Sequence, residues 1–338
     1  MKSLLVGNGI DIQFGGSDYF NANIIKRAIK NVQSKNFILE VFSQEILNIV
    51  KTLSNEVKNI VEGYYDKYVI GYEINILNNF KDRYNNINGK LEPHDIGMED
   101  YFFINILFCR KSKISMKSQY HLKQCLRIIF LDSIYNNGKI NKIKNDFPIR
   151  LKEFFQIYDN IFTTNYDKNI EKFIGKSVHY LHGAFHIKSE IYNPNSLINK
   201  ISDAPINEAD IIEGYDYIYS NALMTFAGEE KEHQMQANTK SNEVIEKIIH
   251  KLETNDEAKT IVDNWKHSNN KTVKNIYEII KLRQNSFNFK HEEYYPIKNF
   301  RNIQDSIDII GLSPNNDSHI FDNINKNNNL TNCNNKLN

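Results

Sequence analysis

The sequence is sparing with the features that usually announce a function. It has three cysteines, Cys109, Cys125 and Cys333, widely separated and with no C-x-x-C pair. That spacing leaves no cysteine zinc site and fits a reducing, cytoplasmic setting. No run of about 18 apolar residues occurs, so no membrane span is expected. The segment Met1 to Val6 is too short for a signal peptide and runs directly into glycine and asparagine. The formal net charge is only +1, from 42 basic and 41 acidic residues. Such a balance gives no electrostatic case for a nucleic acid or an anionic membrane as partner. Internal repeats are also lacking.

What remains describes a folded chain. Its 338 residues, 41% hydrophobic and 25% charged, can bury a large core as one elaborated domain or two. Asn, Lys and Ile are used heavily throughout, a bias of the kind genomic base composition produces.

Ser3-Leu4-Leu5-Val6 is a compact apolar run that reads as a buried parallel strand. It opens into Gly7-Asn8-Gly9-Ile10-Asp11, where glycines fit either a phosphate cradle or a tight strand-to-helix turn. The dinucleotide fingerprint calls for a third glycine where this chain has Ile12. From Asn21 to about Tyr158 the pattern is mainly helical. One long amphipathic helix is expected over Ile38 to Val61, with others over Glu73–Phe80, Glu99–Phe108 and Lys117–Tyr135. The spacer Asp95-Ile96-Gly97-Met98-Glu99-Asp100 reads best as capping at a helix start. His94 and His121 have no partner at ligand spacing.

A strand over 159–162, a short helix over Lys168–Ile174 and a strand over 177–181 follow. The region from Pro194 to Arg301 is again mainly helical, with helices expected over Asn242–Leu252 and Val273–Leu282. Tyr215 to Tyr219 could be a strand. Ser306 to Ile310 is a last apolar strand, and Asp317 would cap a helix over Ser318–Ile324. The Asn-rich tail at 326–338 has little to bury and is expected to be disordered. The chain thus reads as a single α/β domain over 1–325, a Rossmann-like parallel sheet with large helical insertions at about 21–158 and 195–300.

The chemistry gathers where strands end. The strand near 159–162 delivers Thr163-Thr164-Asn165-Tyr166-Asp167, and the next delivers Tyr180-Leu181-His182-Gly183. In open α/β sheets the carboxyl ends of the strands form the ligand crevice. An amide, a carboxylate and an imidazole converging there point to a reaction site. Read singly, Asn165 is a turn asparagine and His182 a core histidine; their common placement favours the functional reading.

Laid side by side, these loops resemble the sirtuin family. Its first box, G-A-G-I-S followed after three residues by G-I-P-D-F-R, aligns without a gap on Gly7, Gly9, Ile10, Gly15, Asp18 and Tyr19. The second, T-Q-N-I-D, matches Thr163, Asn165 and Asp167; the H-G box matches His182-Gly183; the G-T-S box matches Gly311 and Ser313. The four zinc-binding cysteines of sirtuin deacetylases are missing, and Phe20 and Asp11 replace the family's arginine and serine. The G-N-G-x-D start and the helical insertions are more similar to bacterial sirtuin-like defence proteins, including the AbiH-like group. That resemblance implies NAD+ as substrate, cleavage of its nicotinamide–ribose bond during phage infection, and no zinc.

Cleaving that bond passes through an oxocarbenium-like state, so the site must exclude bulk water, hold the ribose and place one water on the opposite face. Asn165 can orient that water or a ribose hydroxyl, and His182 can accept its proton. The resemblance implies cofactor contacts from Gly7, Asn8, Gly9, Asp11, Asp18, Thr163, Asp167, Gly311 and Ser313. Among these, Gly7, Gly9 and Ser313 would meet phosphates, and Asp18 and Asp167 would hold the carboxamide or steady positive charge. The alternatives are an inert NAD or ADP-ribose sensor, and a protein ADP-ribosyltransferase or deacylase. The helical insertions exceed what this chemistry needs, which makes them candidate surfaces for self-association or for an activating partner.

Overall fold

Short strands rich in Val, Ile, Leu and Phe on both faces can be buried only in a parallel sheet covered on both sides. A computed structural model describes residues 2–34, 47–71, 73–85, 91–193, 196, 199, 211–223, 243–285, 295–312, 317–324 and 330–332. Its strands are β1 Lys2–Val6, β2 Asn160–Thr163, β3 His179–Tyr180, β4 Ser306–Ile310 and β5 Leu330–Asn332. They form one parallel five-stranded sheet in the order β3-β2-β1-β4-β5. The central register places Leu5 of β1 beside Phe162 of β2 and Ile309 of β4. The fold is therefore α/β with a parallel sheet, as expected. β5 lies in the tail expected to be disordered: parallel pairing uses main-chain groups, so Leu330–Asn332 can join β4 although the sequence around it is polar. Positions 326–329 and 333–338 lie outside the described residues.

The two faces of the sheet carry unequal layers. Leu4, Val6, Ile161 and Ile310 face a large cluster that continues through the first insertion. Leu5, Phe162, Ile307 and Ile309 face a thinner one. The helices begin with α1 Gly9–Gly15 and α2 Asn21–Asn31, followed by α3 Ile49–Ser54 and α4 Val57–Val61. The long helix expected over 38–61 is thus two short ones divided at Asn55 and Glu56, and 38–46 lie outside the described residues. Next come α5 Glu73–Tyr84, α6 Asp100–Lys111 and α7 Met116–Tyr135, all at the expected places, then α8 Ile149–Gln156 and α9 Asn169–Ile174.

α6 and α7 are the inner helices of the insertion. α6 is apolar nearly all round, as buried helices are, and α7 is buried from Gln124 onward after a polar, exposed start; Phe102, Phe103, Leu126, Phe130 and Leu131 are fully enclosed. The side chain of Ser115 accepts a 3.3 Å hydrogen bond from the Ser118 amide at the start of α7, and Asn136 ends it in a left-handed conformation. The second insertion holds a helix over 243–254, then α10 Asp256–Asn264 and α11 Lys271–Asn285. These carry a small cluster of their own around Leu252, Val262 and Ile280. α12 Ile297–Arg301 and α13 Ser318–Asp322 cover the thin face through Ile297, Phe300 and Ile320.

Tyr215 to Tyr219 is not a strand: Asp216–Tyr219 is a 3-10 turn. Its carbonyls have another use. Arg127 of α7 is completely buried and donates to Ala222 O at 3.0 Å, Ile218 O at 2.8 Å and Ser220 O. A guanidinium can hold several carbonyls at once in a fixed plane, so this contact ties segment 217–223 to the core. Replacing the arginine leaves those buried carbonyls without donors, at about 1–3 kcal/mol each before relaxation. Arg127→Met is expected to lower unfolding free energy by about 3–5 kcal/mol, measured by denaturant titration. A loss below about 1 kcal/mol would mean the carbonyl clamp is not structural.

Candidate functional site

The sheet changes direction between β1 and β4, since β2 and β3 lie on one side of β1 and β4 and β5 on the other. At that point the turns leaving the two strands touch. Gly7 N–H donates to Ile310 O at 2.9 Å and Gly9 N–H to Gly311 O at 2.8 Å. A Cβ on Gly7 would stand 2.4 Å from Gly311 O, and one on Gly9 2.5 Å from Gly311 Cα. The glycines therefore let two backbones meet, and the amides of Gly7 and Gly9, expected at phosphates, are engaged by protein carbonyls. Gly311 is the third member of that contact. Ser313 lies outside the described residues. Asn8, at the start of α1, lines the cavity described below and donates to Tyr19 O at 3.4 Å.

From β2 the chain reaches the same place. The Thr163 hydroxyl donates to Val6 O at 3.0 Å and accepts from the Asn165 amide at 3.0 Å. Thr163 is only 1% exposed, so it fixes the turn that carries Asn165, while its neighbour Thr164 lines the cavity in its place. Asn165 is 7% exposed and lines the cavity, and its Oδ1 has no hydrogen-bond donor in the protein. Asp167 turns beneath it, accepting the Asn169 amide at 2.7 Å. There it comes within hydrogen-bonding reach of Asp11, which α1 directs downward from β1.

Asp11 and Asp167 form a buried carboxyl pair, 3% and 6% exposed. Burial raises the pKa of both, and the neighbouring carboxylate raises Asp11 further. Two such acids, buried side by side, do not readily both ionise, so they share a proton. Asp11 Oδ1 and Asp167 Oδ2 have no other donor. The same charge, behind the larger effect of burial, helps push the Tyr19 phenol up to about 12.

From β3 the chain delivers His182, 8% exposed and on the cavity wall. The turn after it is tight: Gly183 has φ +80°, and a Cβ there would be 2.3 Å from Asn221 O. Ala184 N–H donates to Asn221 Oδ1 at 2.8 Å, so the segment clamped by Arg127 also holds the His-Gly turn. His182 Nε2 lies 3.9 Å from Asp317 Oδ1. The Asp317 carbonyl accepts from Ile320 N–H at 2.9 Å, but its side chain makes no capping hydrogen bond to that helix and faces the histidine. Asp18 is not part of this constellation. It lies 3.9 Å from both Arg27 and Lys139, and it does not line the cavity.

These groups surround a cavity of about 430 Å3, within the range of small-molecule sites. Sheet ends form its floor, and the first insertion forms a wall that the sequence reading assigned to capping. Asp95 does cap, accepting the Glu92 amide at 3.0 Å, yet Asp95, Glu99 and Asp100 all line the cavity. The segment is stapled in place. Asn21 donates to Ile96 O at 2.9 Å and accepts from Met98 N–H at 2.8 Å. Tyr84 accepts from Gly97 N–H at 2.8 Å and donates to Asp100 at 2.7 Å, while Arg83 pairs with Asp100 at 2.5 Å. No periodicity marks this wall; its only sequence signal is three acids around a glycine between two helices. Among the described residues no His, Cys, Asp or Glu cluster is arranged to hold a metal ion.

The proton held by Asp11 and Asp167 has a measurable consequence. Both groups ionise at higher pH folded than unfolded, so above about pH 4 the native chain binds more protons and stability falls as pH rises. Asp11→Asn removes one ionisation and relieves its partner. The fall in melting temperature between pH 5 and pH 8 should be shallower than in the parent, with a higher melting temperature at pH 8. An unchanged pH dependence in a folded variant would remove the shared proton from the account.

No family model, curated protein or solved structure matched this chain.

Proposed function

We propose that the protein is an NAD+ glycohydrolase, cleaving the nicotinamide–ribose bond to give nicotinamide and ADP-ribose. The observation that carries this reading is the meeting of Asn165 and His182 on one cavity at the carboxyl ends of parallel strands. The strand order 3-2-1-4-5 supports it, since Rossmann-like dinucleotide-binding sheets run in that order and bind at the β1/β4 switch. Of the sirtuin-like boxes, Gly7, Asn165, Asp167, His182, Gly183 and Gly311 stand within a few residues of these strand ends.

In this mechanism the ribose C1′–nitrogen bond breaks, and its electron pair stays on the pyridine nitrogen, neutralising the ring. A water held by Asn165 Oδ1 adds to C1′ from the opposite face, and His182 takes the proton the water loses. Asp317, 3.9 Å from Nε2, balances the imidazolium so formed. Atoms balance as NAD+ plus water giving nicotinamide, ADP-ribose and a proton. Unrestrained turnover would drain a cell's NAD+, which fits a role in abortive infection. The helical insertions, the first of which walls the cavity, are then the natural place for an activating partner or a second copy to act.

Purified protein mixed with NAD+ should release nicotinamide without an acyl-lysine substrate. Asn165→Ala and His182→Ala should each lower kcat about a hundred- to ten-thousandfold, with NAD+ binding largely kept. Chromatographic product analysis and calorimetry check the two halves. A folded His182→Ala variant that binds and turns over normally would overturn the mechanism, and intact NAD+ with the wild type would overturn the function.

A further inference from the structure

The lining of the cavity is unbalanced in charge. Asp95, Glu99, Asp100 and Asp317 face it, against the side chains of Arg83 and His182, while the remaining carboxyl on the lining, Asp11, keeps a proton with Asp167. Arg83 is paired with Asp100 at 2.5 Å, and His182 faces Asp317 at 3.9 Å. The glycine amides that would have received a phosphate are bonded to Ile310 and Gly311 carbonyls. A second, independent observation concerns hydrogen bonding. Asn165 is on the same lining and more than nine-tenths buried, and its Oδ1 is an acceptor without a donor. A buried acceptor in that state calls for a ligand bearing N–H or O–H groups.

We propose that this cavity selects the cationic, phosphate-free half of its substrate, an N-ribosylpyridinium, and that Asp95 and Glu99 of the insertion wall are the residues that select it. The inference rests on the NAD+ reading and narrows it. The pyridinium ring supplies the positive charge that the acidic wall complements. Its carboxamide N–H2 or ribose hydroxyls supply the donors that Asn165 Oδ1 calls for. A phosphate group placed among these carboxylates would be repelled, so the pyrophosphate of a dinucleotide must leave the cavity. Charge selection also acts in the direction of the reaction. The ring loses its charge as the bond breaks, and neutral nicotinamide is released from a wall that no longer attracts it.

The test uses the full-length protein and four probes: nicotinamide riboside, its uncharged reduced form, nicotinamide mononucleotide and NAD+. Binding is measured by calorimetry, with product formation followed in the same samples. The oxidised riboside should bind about tenfold or more tightly than the reduced one, a ratio equal to about 1.4 kcal/mol, and the mononucleotide should bind no better than the riboside. Asp95→Asn with Glu99→Gln should weaken the oxidised riboside about five- to tenfold and leave the reduced one nearly unchanged. Because only one of two similar ligands is affected, a folding defect cannot imitate that pattern. Equal binding of the two ribosides, no binding of either, much tighter binding of the mononucleotide, or an unchanged ratio in the double variant would each overturn the proposal. If NAD+ is hydrolysed and the ribosides are not distinguished, the inference fails while the glycohydrolase reading stands. If NAD+ stays intact while the oxidised riboside is selected, the charge-selective wall stands and the glycohydrolase reading fails.

Discussion

The contact on which the site depends is the meeting of two backbones where β1 and β4 end. With Gly7 and Gly9 pressed against Gly311, the chain leaving β1 has no room for a side chain at either glycine and turns at once into α1. That turn decides where Asp11 goes. A strand exit loosened by a few ångströms would carry Asp11 away from Asp167 and open the floor beneath Asn165. The hydroxyl of Thr163 completes the arrangement from the other side, tying β2 to the last carbonyl of β1. Three strand ends are thus locked by main-chain and hydroxyl contacts alone, and the reactive side chains are fixed by the frame that carries them.

That frame holds unfavourable chemistry. Two buried carboxyl groups under the cavity cost stability unless they share a proton, and a wall bearing Asp95, Glu99 and Asp100 adds more charge of the same sign. What offsets it is the size of the core around it. The first insertion extends the hydrophobic cluster of the sheet through α6 and α7, far beyond what covering one sheet face requires. Its excess burial can support a like-charged site, in keeping with the general observation that reactive constellations are stabilised from elsewhere in the fold.

The strands were legible because a fully buried parallel strand has a plain signature, a short apolar run stopped by glycine or polar residues. Leu4 to Val6, Ile161 to Phe162 and Ile307 to Ile310 all carry it. Asn165 and His182 were legible because each stands just past such a run. β5 was not, because Leu330–Asn332 joins the sheet by main-chain pairing that leaves no mark on composition. Tyr215 to Tyr219 misled for the opposite reason: aromatic residues at strand spacing are here packed in a turn whose carbonyls belong to Arg127. Asp18 and Thr163 sit in matching boxes but meet Arg27 and Val6 instead of the cavity. Position in a motif fixes where a residue lies along the chain; which way its side chain turns is decided by the neighbours the fold supplies, nine residues away for Asp18 and 157 for Thr163.

The insertion wall shows the same limit from another side. Nothing local to Asp95-Ile96-Gly97-Met98-Glu99-Asp100 distinguishes a capping segment from a binding surface, and it is in fact both. Asn21 holds it from α2 and Arg83 and Tyr84 from α5, and it reaches the cavity only because those two helices place the three side chains around it. A segment fixed at both ends by hydrogen bonds to its own amides and carboxylates can present charge without the entropy that ordering a free loop would cost. The crossover between β1 and β2 is therefore more than a connection lengthened by helices. It places a rigid acidic surface opposite the strand ends, so a segment remote from the sheet in sequence completes the site that the sheet begins.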